Sequence, residues 1–317
     1  MQLVDHHIDL EGPGCRGQYA LPELVGGVLT RVRPMVIQTV RMSVLRTSRR
    51  VGRPIKELQS AWEVLHGGQE KGPDGSTRLL FRLPTLGAAA PRLFEQGFLW
   101  NDGPKPDDTA FDLIGGMLAD IRERKTESER FDSDLLGRVA GFDSILGRGL
   151  NRLTLGGHHL TKGHRETIDP LLTETAKSLV SETPRPRRVR ISGTLDMIRV
   201  SDRVFELMLD QGERLRAVWT GQTVITLAEY LNKAVVIEGD AVFRPSGGLL
   251  RVDTTAIAPA RKEDALFTKL PVPLGRSLNG AVLRQRQTET TGVNAIWGRW
   301  PKEGTEEELM QAVEELS

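Results

Sequence analysis

The sequence lacks the features that mark secreted and membrane-spanning proteins. Its single cysteine, Cys15, excludes an intramolecular disulfide and favours a reducing, cytoplasmic compartment. No apolar run reaches the roughly 18–20 residues that cross a bilayer. The opening stretch, MQLVDHHIDLEGPG, lacks the basic and then apolar build of a secretion signal. We therefore expect a cytoplasmic protein without a membrane contact.

A large net charge is also missing. The 43 lysines and arginines and the 42 aspartates and glutamates give a formal charge of +1. No global attraction to nucleic acid is expected, so any electrostatic site must be local. Hydrophobic residues make up 38% and charged residues 27% of the 317 positions. These proportions are typical of a folded globular protein, and the length allows two domains.

Residues 1–150 carry a mixture of strand and helix patterns. Alternation over Leu3–Leu10 predicts an opening strand. Helical spacing of apolar residues from Leu21 to about Arg46 predicts a helix, which Pro34 should kink or divide. The turn formers at 72–75 predict a hairpin between two further strands.

Further helices are predicted along the rest of this region. The stretch LGAAAPRLFEQ indicates one helix, and another should begin at Asp107, Asp108 or Thr109. These elements predict an α+β domain over 1–150. Residues 151–186 are expected to connect it to a second domain through a strand, a helix and a stiff Pro/Arg linker, with a boundary near Pro184.

Residues 187–260 give the clearest fold signal. Three alternating segments, one short helical pattern and two more alternating segments predict a five-stranded barrel of the oligonucleotide/oligosaccharide-binding (OB) type. Strand phase assigns the inward positions as Val189, Ile191, Leu195, Met197, Phe205, Leu207, Leu209, Leu215, Ala217, Trp219, Val235, Ile237, Ala241, Phe243, Leu250, Val252 and Ala256.

The opposite phase of the barrel strands predicts the outer face. It mixes cations such as Arg190, Arg216 and Arg251 with acids such as Glu238 and Asp253, and it carries no aromatic side chain. Barrels that bind single strands stack bases on exposed aromatics. The barrel is therefore interpreted as a scaffold for packing or partner binding.

Two basic stretches nevertheless keep nucleic-acid binding as an alternative. No acidic residue lies between Arg41 and Lys56. Clustered guanidinium groups suit a phosphate backbone, although a solvated helix end explains the same pattern. The candidate nucleic-acid-binding residues are Arg46, Arg49, Arg50, Arg53, Lys56, Arg185, Arg187, Arg188 and Arg190.

Residues 261–317 are predicted as an extended linker followed by an acidic helix. Thr305 and Glu308 form a capping box, and Glu306 and Glu307 suit the first turn of the helix. The helix to Leu316 would present one apolar stripe.

This ending resembles the tails of small bacterial antitoxin-like proteins that are often encoded beside PIN-domain ribonuclease toxins. The resemblance covers about the last 20 residues, through Trp300-Pro301, Thr305, Glu307-Glu308 and the ending Glu314-Glu315-Leu316. This chain has Lys302, Glu303 and Gly304 where those tails have Gly-Asp-Glu. The rest of the chain is much longer than such antitoxins.

The resemblance implies a tail that binds a protein partner, for which a PIN-domain ribonuclease is the candidate. Tryptophans are favoured interface anchors, and a helix with one apolar stripe can lie in a partner's groove. A terminal helix folded back on its own domain is the alternative. The candidate partner-binding residues are Trp297, Trp300, Pro301, Glu306, Glu307, Leu309 and Val313.

The residues indicate no defined chemistry. His158, His159 and His164 do not have a recognised zinc spacing and are expected on a surface loop. Asp107, Asp108 and Asp112 are explained by a helix start. We predict no catalytic residues, metal or cofactor. The expected function is that of a non-enzymatic, antitoxin-like binding protein. The alternatives are a nucleic-acid-binding protein and an unrecognised nuclease or hydrolase.

Overall fold

An antiparallel sheet with helices packed against it is followed by a closed barrel. The computed structural model describes residues 3–49, 56–95, 103–162, 166–199, 203–220 and 227–274. The strands of the first lobe are β1 (Leu3–Glu11), β2 (Cys15–Arg16), β3 (Tyr19–Ala20), β4 (Leu65–Lys71), β5 (Thr77–Pro84), β6 (Arg152–Gly157) and β7 (Glu166–Ile168). Its helices are α1 (Pro22–Leu45), α2 (Lys56–Ala61), α3 (Leu86–Ala89), α4 (Arg92–Glu95), α5 (Ala110–Arg122), α6 (Ser133–Ala140) and α7 (Pro170–Glu182).

The barrel strands are β8 (Arg187–Arg199), β9 (Val204–Met208), β10 (Arg214–Trp219), β11 (Ala234–Phe243) and β12 (Leu249–Pro259). Among the helices in the described ranges, none is long and apolar enough to cross a bilayer. The chain therefore has an α+β architecture with a closed five-stranded barrel, as the sequence predicts at this level.

The main sheet of the first lobe has the strand order β4-β5-β1-β6-β7. The predicted opening strand is confirmed as β1, and the predicted hairpin is the antiparallel pair β4 and β5. Strands β6 and β7 come from the segment predicted as a connection, and β6 pairs directly with β1. Residues 151–186 thus complete the first sheet.

The helix predicted from Leu21 to about Arg46 is confirmed as α1, and it is not divided at Pro34. A proline inside a helix costs about 3 kcal/mol. Each buried side chain on the core face of α1, such as Val28, Val32 and Val36, gains about 1.5–3 kcal/mol. Together these gains exceed the cost of the proline. The single helix predicted over 86–96 is instead α3 and α4. Ala90, which precedes Pro91, leaves the helical region at φ −143°.

The barrel closes in the order β10-β12-β11-β8-β9. Strands β10 and β12 are parallel, and the other neighbouring pairs are antiparallel. Most of the predicted inward positions are confirmed as its buried core, including Phe205 and Trp219. Phe243 is buried too, but outside that cluster. The inward position predicted for Met197 is wrong, because a register irregularity just before it in β8 brings Ile198 against the core instead.

The inward positions predicted for the fifth strand are partly wrong. Leu250 packs in the core of the first lobe, Ala256 is exposed, and Ile257 lies in the barrel core. Irregularities in the β11–β12 register at Glu238/Gly239 and Val242/Phe243 explain the difference. Each bulge adds one residue to a strand and exchanges the two faces beyond it.

The two lobes meet through charged side chains that strand phase had assigned to an open outer face. Arg251 of β12 is only 1% exposed. Its guanidinium donates to Asp253 at 2.7 Å and to Asp132, at the start of α6, at 3.1 Å. Burial opposes ionisation of Asp132, but the charge of Arg251 and the hydrogen bonds from Ser48 outweigh it and lower the pKa of this carboxyl.

A second carboxylate of the first lobe, that of Glu129, pairs with two more arginines of the barrel. Glu129 accepts from Arg216 of β10 and from Arg244, each at 2.8 Å. Arg46, the residue that ends α1, lies 3.6 Å from the same carboxylate. Part of the barrel's outer face is therefore already used inside the molecule.

The predicted linker after residue 260 also takes part in packing. Lys262–Phe267 form a 3₁₀ helix, and Asp264 is buried and accepts from Arg190 at 2.7 Å. An extended linker over this segment is therefore wrong.

We expect the Arg251→Leu substitution to lower the free energy of unfolding by about 3–5 kcal/mol, because it leaves two buried carboxylates without their cation. Arg214→Leu, on the exposed start of β10, is the matched control and should change it by less than about 0.5 kcal/mol. Urea unfolding measures both. Equal effects of the two substitutions would contradict this role for Arg251.

Candidate functional site

A cluster of histidines and aspartates lies where the first turn of α5 meets strands β1 and β6. His6 of β1 pairs with Gly157 at the end of β6. His158 and His159 follow directly in a 3₁₀ turn. Thr109, which precedes α5, forms a bridge to Thr85. Residues far apart in sequence are therefore brought to one edge of the first lobe.

Asp112 connects the helix start to the histidine turn. Its Oδ2 accepts from the backbone N of Thr109 at 2.8 Å and from the Thr109 hydroxyl at 2.7 Å. This is a capping box, so the predicted helix start is confirmed. The same oxygen lies 3.2 Å from Nδ1 of His158. An ionised carboxylate only accepts, which makes Nδ1 the protonated nitrogen of this ring.

The backbone at the histidine turn is held in an unusual conformation. His158 has φ +43°, in the left-handed region that costs a non-glycine residue about 1–3 kcal/mol. Gly157 before it has φ +112°, and a Cβ there would lie 2.6 Å from the Asp5 carbonyl oxygen. This sharp turn places the rings of His158 and His159 edge to face, with centroids 3.9 Å apart.

His6 forms the buried floor of the cluster. Its Nε2 lies 3.0 Å from the Thr109 hydroxyl, and its ring lies 5.2 Å from that of Phe111. The hydroxyl donates to Asp112, so His6 is the donor in this contact. Burial lowers the pKa of His6 to about 4, with a smaller lowering from His158, although Asp112 acts in the opposite direction.

Asp107, His158 and His159 form the outer part of the cluster. Nε2 of His159 lies 3.2 Å from Oδ2 of Asp107, and Nε2 of His158 lies 4.0 Å from Oδ1. One ligand atom from each residue lies within 4.8 Å of the others, so these three side chains could hold a metal ion. Beside them, burial raises the pKa of Asp108, although the backbone N–H of Lys105 lowers it.

Of the basic residues suggested for nucleic acid, six have described side chains, and four of these six are paired with acids. Arg49 donates to Asp134 at 2.6 Å. Arg188 lies 3.7 Å from Glu238. Of the same set, Arg50 and Arg53 lie outside the described residues, and so does the side chain of Lys56.

One cavity nevertheless brings the two basic stretches together. Arg49 and Arg185 both line a space of about 300 Å³ between the lobes. Arg251, Asp132 and Asp134 line it too, so its charge is mixed. All seven partner-binding residues predicted in the tail, with Trp297 and Trp300 among them, lie outside the described residues.

Comparison of the chain with protein-family models, with curated proteins and with solved structures gave no significant match. The proposals below therefore depend on the residues themselves.

The histidine–aspartate cluster was not visible in the sequence. His158-His159 and Asp107 are about 50 positions apart in the sequence. A surface loop explains the two histidines, and a helix start explains the aspartate. The available signal was Gly156-Gly157 before two histidines, because paired glycines in a strand indicate a close backbone approach. Only the register of β1 and β6 turns this signal into a site.

The low pKa of His6 makes folding stability depend on pH. Between pH 6.5 and about 4 the unfolded chain binds a proton that the folded chain does not. The free energy of unfolding should therefore fall by up to about 3 kcal/mol as the pH drops through this window. Urea titrations in a chelator measure it. His6→Asn should flatten the slope, while His66→Asn, at an exposed histidine of β4, should keep it. A wild-type slope in His6→Asn would contradict the assignment.

Proposed function

We propose that this chain is a non-enzymatic, antitoxin-like binding protein that contacts a ribonuclease-type protein partner through residues 297–316. The tail itself carries the proposal. It combines two tryptophans with an acidic amphipathic helix pattern in the segment that follows the folded lobes. Buried tryptophans are common energetic anchors of protein interfaces, and each can contribute 2 kcal/mol or more, as an order of magnitude.

The charge of the tail supports the choice of partner. Glu306, Glu307 and Glu308 are consecutive, and a further acidic pair follows at Glu314-Glu315. Enzymes that bind RNA present basic surfaces to the phosphate backbone. An acidic helix can occupy such a surface and exclude the substrate.

The barrel supports a scaffold role. We infer that it is of the OB type, since its strand order and its parallel β10–β12 pair agree with that topology, and a 3₁₀ turn at Leu227–Tyr230 lies between β10 and β11. OB barrels bind oligonucleotides on the face of their second and third strands. Here the side chains of Glu206 and Arg216 on those strands are mostly buried, and Arg216 pairs with Glu129 of the first lobe.

The tail proposal is tested by co-purification with the protein encoded by the neighbouring gene. We expect deletion of residues 295–317, or the double change Trp297→Ala/Trp300→Ala, to abolish it, because the anchors are removed. Leu266→Ala/Leu274→Ala removes two exposed apolar side chains outside the tail and should have no effect. Unchanged co-purification after the deletion would refute the proposal.

Nucleic-acid binding is a second candidate because Arg49 and Arg185 line one cavity. A phosphate there would have to compete with Asp134 for Arg49. The affinity for a single-stranded oligonucleotide should then fall steeply with salt, with a slope of about −0.7 per phosphate contact.

The Arg49→Ala/Arg185→Ala variant should make this slope shallower by about 1.4. Arg82→Ala changes an exposed arginine of β5 and should leave it unchanged. A flat titration of the wild-type chain would remove this candidate. Fluorescence anisotropy is the measurement.

A further inference from the structure

The outer part of the histidine–aspartate cluster has the dimensions of a metal site. A zinc ion bound at about 2.0–2.1 Å in a tetrahedron has ligand atoms about 3.3 Å apart. The separations of Asp107 from His159 and from His158 are 3.2 Å and 4.0 Å. All three ligand atoms lie within 4.8 Å of one another, so small side-chain rotations bring them onto one ion.

The left-handed backbone at His158 explains how adjacent residues can serve one ion. In an extended strand, neighbouring side chains point to opposite faces. The positive φ values of Gly157 and His158 break this alternation. The result is the close edge-to-face pair of imidazoles, whose two Nε2 atoms lie near the same carboxylate.

Asp112 supplies the orienting contact that histidine ligands need. It accepts from Nδ1 of His158 and so fixes the tautomer whose Nε2 can bind a metal. Histidines bound to metals generally donate their other nitrogen to a carboxylate or a carbonyl group in this way. The orienting carboxylate is itself held by Thr109 in the capping box of α5.

The local charge balance also favours a cation. Asp107, Asp108 and Asp112 lie within six residues. Among the described residues, the ion-pair partners of Asp107 and Asp112 are histidines, which compensate a carboxylate only when protonated. Oδ1 of Asp112 is buried and has no hydrogen-bond partner within the described ranges. A divalent ion would offset this excess of negative charge.

We propose that Asp107, His158 and His159 bind a divalent transition-metal ion, and that Asp112 orients the ring of His158 for it. Two imidazoles and one carboxylate suit Zn²⁺ or Co²⁺ better than Mg²⁺ or Ca²⁺, which prefer oxygen ligands alone. Three protein ligands leave a fourth position for water or another ligand. Asp107 is 71% exposed, so an ion can enter from solvent. This site is independent of the tail proposed to bind a protein.

The test is titration of the metal-free full-length chain with Co²⁺, followed by displacement with Zn²⁺. We expect saturable d–d absorption with one ion per chain, lost on adding Zn²⁺. Asp107→Asn and His159→Ala should abolish it, and Asp112→Asn should weaken Co²⁺ binding about 10–100-fold. His66→Ala and Asp143→Asn, which change exposed residues, should bind as the wild type does.

Two results would overturn the proposal. One is no saturable Co²⁺ or Zn²⁺ binding by the wild-type chain. The other is undiminished binding by the Asp107→Asn/His159→Ala double variant. Circular dichroism checks that each variant is folded. If a histidine variant does not fold, Asp107→Asn still tests the proposal, because the Asp107 side chain is largely exposed and its substitution should not disturb the fold. Co-purification with a protein partner tests the tail separately.

Discussion

The buried guanidinium of Arg251 joins the first lobe to the barrel through two ion pairs. It lies between Asp253 of its own strand and Asp132 of the first lobe. Asp132 also caps α6 by accepting from the backbone N of Leu135, and it accepts from Ser48, shortly after α1 ends. One carboxylate thus ties two helices and a barrel strand together. A charge this deeply buried is stable only while its partners stay in place, so the pair penalises other arrangements of the two lobes.

This contact changes the role of the barrel. Closed five-stranded barrels include folds that bind oligonucleotides. In this barrel, however, arginines of the outer face donate hydrogen bonds to Glu129 and Asp132 of the first lobe. The two proposed external contacts therefore involve other parts of the chain. The tail is proposed to bind a protein, and the histidine–aspartate cluster at the start of α5 is proposed to bind a metal ion.

Periodicity and turn chemistry predicted most of the elements, because local patterns determine them. The five barrel strands, the opening strand, the hairpin and the start of α5 all follow from spacing and residue type. The predictions that were wrong concern residues whose positions depend on partners far away in the sequence. Leu250 points to the first lobe because bulges change strand phase, and Arg251 looks like a surface residue until Asp132 is placed beside it. The metal-site candidate needs Asp107 and His158 together, which only the fold provides.

The ion pair between the two lobes is tested most directly by a double-mutant cycle between Arg251→Leu and Asp132→Asn. Asparagine keeps the capping oxygen of α6 and removes only the charge. Both single variants, the double variant and the wild type are unfolded in urea, and the coupling energy is taken from the four free energies. We expect a coupling of at least about 1.5 kcal/mol. Additive effects, within about 0.5 kcal/mol, would contradict it.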